Sequence, residues 1–388
     1  MKKTSSIKSS IRFLFVLAAG LFLLSACGRT EQKHTGDSTV AHAESNVVFS
    51  DFEYPYIAES ANGYYFWERI SEDQYYPRLM FMDKESGVIV PLCNKPNCMH
   101  EGKECNAYYP KVGLGEDGIS KYYLQYYKEN LYAVGLSADN YVSLFRIKED
   151  GTEWEICTKL YRSDYDSTMK WLAPDILIQD GYVYYIDNKQ NNMKLERRPI
   201  DGGNAEVVFE EDSDADYNKV YRMEGHDGKI FFQAVSFFGE NFDYTGGSLY
   251  QYDIKSGQCN LLKSGVFGPY SVRDDMVYYG NMEGICRYSI QNQTTEVLVN
   301  QPMNVPNITL TRDYIILCDQ MGDGDLFIYD YEGTQIATVS CELKPSWYFG
   351  GNSELLFADC VSNGKTSRCF LDLNRPVTEL RWEELREK

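Results

Sequence analysis

A repeated unit constrains this chain more than any other feature. A short strand leads to a tight polar turn, and a second strand rich in Tyr or Phe follows. After a variable loop come a third strand, a turn bearing Asp or Gly, and a fourth strand. The first turn recurs as Asn62-Gly63, Glu129-Asn130, Asp180-Gly181, Asp227-Gly228, Asp274-Asp275, Arg312-Asp313 and Asn352-Ser353. Asn-Gly and Asp-Gly favour the left-handed backbone of tight hairpins. The second strands include Tyr64-Tyr-Phe-Trp67, Tyr182-Val-Tyr-Tyr185, Val277-Tyr-Tyr279 and Leu355-Leu-Phe357. The third strands include Leu79-Met-Phe-Met-Asp83, Leu249-Tyr-Gln-Tyr-Asp253 and Leu326-Phe-Ile-Tyr-Asp330.

Seven such units, spaced at roughly 35 to 65 residues, predict an all-β fold: a β-propeller of seven four-stranded blades. A blade packs against a neighbour on both faces, so its strands need not alternate strictly. Doublets such as Tyr184-Tyr185 and Tyr278-Tyr279 fit that demand, and the 32 Tyr and 19 Phe supply the aromatic surface. Ring closure predicts a last blade with strands from both termini, with Val47-Val-Phe49 placed beside Val377 to Leu380. Helical spacing is confined to Trp382 to Lys388. A stack of two smaller β domains is the rival arrangement.

The N-terminus carries an address. Lys2, Lys3, Lys8 and Arg12 precede an apolar run from Phe13 to Leu24, with no acidic residue before Cys27. About a dozen apolar residues are too few to cross a bilayer, which needs roughly 20, but they suit a secretory signal. Leu24-Ser25-Ala26-Cys27 resembles the lipobox of bacterial lipoproteins. That resemblance implies a diacylglyceryl group on Cys27 and cleavage just before it. Residues 1–26 are then a signal peptide and 27–46 a lipidated, flexible tether poor in apolar residues. Residues 47–388 form the propeller, with an insertion at 93–110. Two acyl chains anchor stably, so the expected setting is extracytoplasmic, on the cell membrane.

The blade unit, Gly-x-(Tyr/Val)-Tyr-Tyr followed by Leu-Tyr-x-Tyr-Asp-x-x-x-Gly, resembles the blades of YWTD-like and TolB-like propellers. The chain as a whole is similar to the propeller lipoproteins of anaerobic Firmicutes. The resemblance spans most of residues 47–381 and implies a fold and a cell-surface setting, with no particular reaction.

The insertion contains Cys93, Cys98, His100 and Cys105, spaced Cys-x4-Cys-x-His-x4-Cys. Three thiolates and an imidazole make a closed, structural zinc site. The lipoproteins just named share a similar segment. Disulfide bonding is the alternative in an exported domain, and buried thiols are a third. Cys360 and Cys369, on successive strands of the last unit, are a candidate disulfide. Trp154, Trp171 and Trp347 flank turns and are candidates for stacking on sugar rings, against the alternative that they pack between blades.

Other chemistry is poorly served. No Gly-x-Ser-x-Gly elbow, phosphate-binding Walker loop or His-Glu-x-x-His is present. Asp212, Asp214 and Asp216 begin like a calcium loop, but Tyr217 and Met223 stand where Gly and Glu are needed. Cleavage before Cys27 moves the formal charge from −19 to about −23, a surface repelled by nucleic acid. The leading expectation is a membrane-anchored binding module for a glycan, peptide or protein partner. A carboxylate-dependent glycan hydrolase or lyase, and a structural envelope protein, are the alternatives.

Overall fold

The computed structural model describes residues 57–68, 78–100, 104–108, 123–162, 176–186, 193–211, 217–238, 243–266, 268, 270–281, 283–301, 306–319, 325–340, 344–351, 355–362 and 365–385. The chain separates into 1–42 and 43–388, and every described residue lies in the second unit. Among them, seven antiparallel four-stranded sheets each use four strands consecutive in sequence. They are the blades of a seven-bladed propeller. Blade 1 runs Ala58–Glu59, Gly63–Glu68, Arg78–Asp83 and Ile89–Pro91. Blades 2 to 6 occupy residues 124–162, 176–211, 217–264, 270–300 and 306–339. Blade 7 runs Lys344–Gly351, Leu355–Ser362, Lys365–Asp372 and Trp382–Glu384. The first strands of adjoining blades lie side by side around the axis, as in blades 3, 4, 5 and 6.

The aromatic doublets do what two-faced burial requires. Tyr185 packs with blade 2 residues, while Tyr184 packs with blade 4. Tyr279 faces blade 4 and Tyr278 faces blade 6. Tyr65 faces blade 2 and Tyr64 faces blade 7. Because successive side chains of a strand point to opposite faces, each doublet feeds two joints. The hydrophobic core is therefore a ring of clusters at the joints.

The turns follow the residue types. Asp180-Gly181 and Asp227-Gly228 have positive φ at both residues, 49° and 79° in the first and 46° and 70° in the second. That is the backbone of a tight hairpin whose twist matches its strands. The Asp closing several third strands caps the next turn. Asp83 Oδ1 accepts the Ser86 N–H at 2.7 Å, and Asp253 Oδ1 accepts the Ser256 N–H at 2.7 Å. In blades 3 to 6 the pairing of third and fourth strands slips by one residue, as between Leu195 and Glu196 or Ile285 and Cys286, and in blade 2 it slips twice. Such bulges twist an outer edge away from further pairing.

Among the described residues, the last blade is completed by a different segment from the one expected. Blade 7 draws all four described strands from residues 344–384 and blade 1 draws all four from 58–91, so among the described residues neither shares a strand between the termini. Val47 to Phe49 lie outside the described residues. Val377–Glu379 is a single 3-10 turn behind Pro376, whose ring fixes φ at −52°, and the strand falls instead on Trp382–Glu384. The helical spacing at the C-terminus is thus overruled by pairing of Leu371 with Trp382. Among the described residues, side chains seal the seam. Phe357 and Leu355 of blade 7 pack with Tyr64, Phe66 and Met80 of blade 1. Arg368 donates to the Trp67 carbonyl, and its guanidinium lies 5.6 Å from the Phe66 ring centroid.

Hydrogen bonds between first strands add a second set of ties. Gln125 Oε1 accepts the Ile178 N–H and Gln125 Nε2 donates to the Ile178 carbonyl, both at 2.8 Å. Glu224 does the corresponding work between blades 4 and 5, accepting the Val272 N–H at 2.9 Å and the Ser271 hydroxyl at 3.3 Å.

Candidate metal centre

The Cys/His insertion leaves blade 1 directly after its fourth strand. Leu92 N–H donates to the Leu79 carbonyl at 2.8 Å, so Cys93 starts from a backbone still tied to the sheet. The return leg is tied as well. Leu79 N–H donates to the Ala107 carbonyl at 2.7 Å, and Tyr108 bridges Arg78. Both ends of the loop are therefore held by the third strand of blade 1.

Between those ends, Asn97 and His100 have positive φ, 58° and 54°. Left-handed backbone is uncommon for histidine and persists where its surroundings impose it. The two reversals fold Cys98 and His100 back over Cys93 and Cys105. The donor atoms of Cys93, Cys98, His100 and Cys105 all lie within 4.8 Å of one another. His100 Nδ1 is 3.4 Å from Cys105 Sγ, and the Ala107 N–H donates to the same sulfur at 3.4 Å. Cys93, Cys98 and Cys105 carry no disulfide. Cys105 is buried with Ala107 and Tyr108 beside it, and Cys93 and Cys98 close the small cluster.

The electrostatics are uneven. Burial pushes the Cys105 thiol up to about 12. Burial acts the same way on Cys93, but the backbone N–H groups of Lys95 and Asn106, with the thiols of Cys105 and Cys98, together outweigh it and hold that thiol below its usual value. Sulfur atoms on a 2.3 Å zinc sphere stand ~3.8 Å apart in a tetrahedron, inside the span of these four donors. The donor set, its convergence and its partial burial fit a metal ion. Thiolate and imidazole ligands suit soft transition metals such as zinc, and not calcium or magnesium.

The knuckle also touches blade 2. Asn106 Nδ2 donates to Asn94 Oδ1 at 3.1 Å, and Asn94 Nδ2 donates to Asp150 Oδ2 at 3.1 Å. Asp150 sits in the turn between the third and fourth strands of blade 2 and accepts the Thr152 N–H at 3.0 Å. Gly151, at φ 80°, lies so close to Leu92 that an added Cβ would come within 2.3 Å of its carbonyl oxygen. Beside it Tyr65 donates to Glu149 Oε1 at 2.9 Å.

The remaining candidates are placed variously. Trp154 is half-buried in this joint, with its ring 6.2 Å from that of Trp67 and its N–H donating to the Gly151 carbonyl at 3.2 Å. Trp171 and Cys27 lie outside the described residues. Trp347 pairs with Asp359 in the backbone of blade 7. Cys369 stands opposite Ala358 and Cys360 opposite Ser367, so the two cysteines are diagonal neighbours and not a facing pair.

No family model matches the chain, and no curated protein matches it. Solved structures do. A prolyl endopeptidase structure is 12% identical over 88% of this chain and 49% of its own, with a TM-score of 0.56. A puromycin hydrolase structure is 11% identical over 87% of this chain and 53% of its own, with a TM-score of 0.54. TolB from Acinetobacter baumannii is 13% identical over 69% of each chain, with a TM-score of 0.38. The chain spans about half the length of the first two. At these identities the likeness extends to the propeller fold alone.

Proposed function

We propose that this protein is an extracytoplasmic lipoprotein held to the cell membrane through Cys27, and that its propeller is a binding module for a glycan, peptide or protein. Its Cys/His knuckle holds one structural zinc ion. The lipobox supports the anchor. The topology supports the binding module. In each blade the first and third turns share one end, so the loops between second and third strands and the crossings between blades share the other. Variable loops on one face of a rigid ring are the usual arrangement for recognition.

The anchor is tested by fractionating cells that express wild type and Cys27→Ala. Wild type is expected with the membranes and the variant in the soluble exported fraction, and a variant that stays on the membrane would remove Cys27 from the account. The released variant then serves as the probe on glycan and peptide arrays, with cross-linking on whole cells for a protein partner. A blank result in all three would count against a binding module.

The convergence of four donors carries the zinc assignment. Zinc bound there supplies a cross-link, because three thiolates and an imidazole leave no open position. Elemental analysis with native mass spectrometry is expected to find one zinc per chain, absent in Cys98→Ser. A cystine and no metal would make the knuckle a disulfide staple.

A further inference from the structure

The knuckle is not an isolated loop, since its side chains reach the next blade. Asn94 adjoins the ligand Cys93, and Asn106 adjoins the ligand Cys105. Asn106 Nδ2 donates to Asn94 Oδ1 at 3.1 Å, and Asn94 Nδ2 in turn donates to Asp150 Oδ2 of blade 2 at 3.1 Å. Drawing Cys93 and Cys105 onto one ion would fix both asparagines, and so fix the donor that Asp150 receives.

We propose that the metal centre clasps blade 2 to blade 1, with Asn94 as the positioning residue that transmits metal occupancy to the Lys148–Thr152 turn. This rests on the zinc assignment above and adds a task to it. The receiving turn is built to respond. Lys148 N–H donates to the Thr152 carbonyl at 3.0 Å and Gly151 N–H to the Lys148 carbonyl at 2.8 Å. Thr152 N–H and Oγ1 both donate to Asp150 Oδ1, at 3.0 Å and 2.6 Å. Asp150 thus organises its own turn with one oxygen and holds blade 1 with the other. Below it the backbone of Gly151 rests on the Leu92 carbonyl, one residue before Cys93. Both contacts originate within one residue of Cys93.

Hydrogen exchange of the full chain, zinc-loaded and after chelation under reducing conditions, tests this. Removing zinc is expected to speed exchange at the amides of Lys148, Gly151 and Thr152 by about threefold to tenfold, the range of one hydrogen bond. The corresponding turn of blade 5, where Gln293 N–H donates to the Ser289 carbonyl at 2.8 Å, is the control and stays unchanged. Asn94→Asp keeps an acceptor for Asn106 but cannot donate to Asp150 and faces it with like charge. It is expected to retain one zinc while its Lys148–Thr152 amides exchange at the faster rate with or without metal. Equal exchange at that turn in loaded and stripped wild type would overturn the clasp and leave the zinc site standing. Metal-dependent protection surviving in Asn94→Asp would overturn the role of Asn94. Failure to bind zinc at all would remove the metal assignment itself, and the clasp with it.

Discussion

Phe357→Ala is expected to destabilise the protein by about 3–5 kcal/mol, the range for deleting a large buried aromatic, and to open the ring locally before it unfolds globally. Phe357 is buried in the only joint between the two ends of the described chain, that of blades 7 and 1. Its ring centroid lies 5.7 Å from Tyr64, edge-on, and 6.5 Å from Phe66. Elsewhere around the ring, covalent continuity joins each blade to the next. At this seam, among the described residues, side chains alone do so. Denaturant melts should show the loss of stability, and hydrogen exchange should show residues 355–385 opening below the global transition. Phe232→Ala removes a similar ring from the joint of blades 3 and 4. It is the control, expected to cost a comparable amount without selective opening at the seam. Equal protection of 355–385 in both variants would mean that the seam is no weaker than the other joints.

Glu224→Gln is expected to raise stability by ~2 kcal/mol or more at alkaline pH, because it removes a charge held inside the ring while keeping the acceptor. Burial pushes the Glu224 carboxyl up to about 8, against the Val272 N–H and the Ser271 hydroxyl, which act the other way. Arg222, two residues earlier, is itself pushed down to about 9 by burial, so charge is costly here in either sign. The folded value lies above the ordinary 4.5, so the folded chain holds the proton more tightly than the unfolded one. The stabilisation is complete below pH 4.5 and is lost as pH rises to about 8. Thermal melts from pH 5 to 9 should show wild type weakening across that window. The variant should be flatter and should melt higher than wild type at pH 9. Gln125 is the internal precedent, since it makes the same tie to Ile178 with a neutral amide. Parallel curves for wild type and variant would show that Glu224 is ionised and solvated in the folded protein.

Much of this architecture is legible because a blade is a local object. A hairpin needs only its turn residues and flanking strands, and Asp180-Gly181 or Asp227-Gly228 announce both. The doublets Tyr184-Tyr185 and Tyr278-Tyr279 announce burial on two faces, and hence blades with neighbours on each side. A fixed Arg-to-Glu spacing also marks the blades. Arg146 and Glu155, Arg197 and Glu206, and Arg287 and Glu296 each stand nine residues apart. Each pair bonds across the third and fourth strands, at 2.7, 2.8 and 2.6 Å. Two of these arginines also reach the next blade, Arg146 to Asp201 at 2.9 Å and Arg287 to the Tyr331 carbonyl at 3.0 Å.

The C-terminus misled for a physical reason. Spacing over Trp382 to Lys388 suits a helix, but seven residues gain little as an isolated helix. Docking Trp382–Glu384 on the edge of Lys365–Asp372 pairs the backbone and buries Trp382. Tertiary pairing outweighs local preference there.

By itself, then, the order of residues determined what depends on near neighbours: strand, turn, blade, number of blades, and the chemical identity of four clustered donors. Only the tertiary structure decided how distant parts meet. Glu224 and Val272 lie 48 residues apart and Arg368 and Trp67 301 apart, and no periodicity encodes either bond. The first exists because blades 4 and 5 pack side by side and the second because the ring closes, and each brings together backbone groups that must be satisfied once they are buried. The knuckle shows both sides of this division. Its cysteines and histidine are plain in the sequence. Their convergence, and the reach of Asn94 to Asp150 56 residues away, follow from two blades packing side by side.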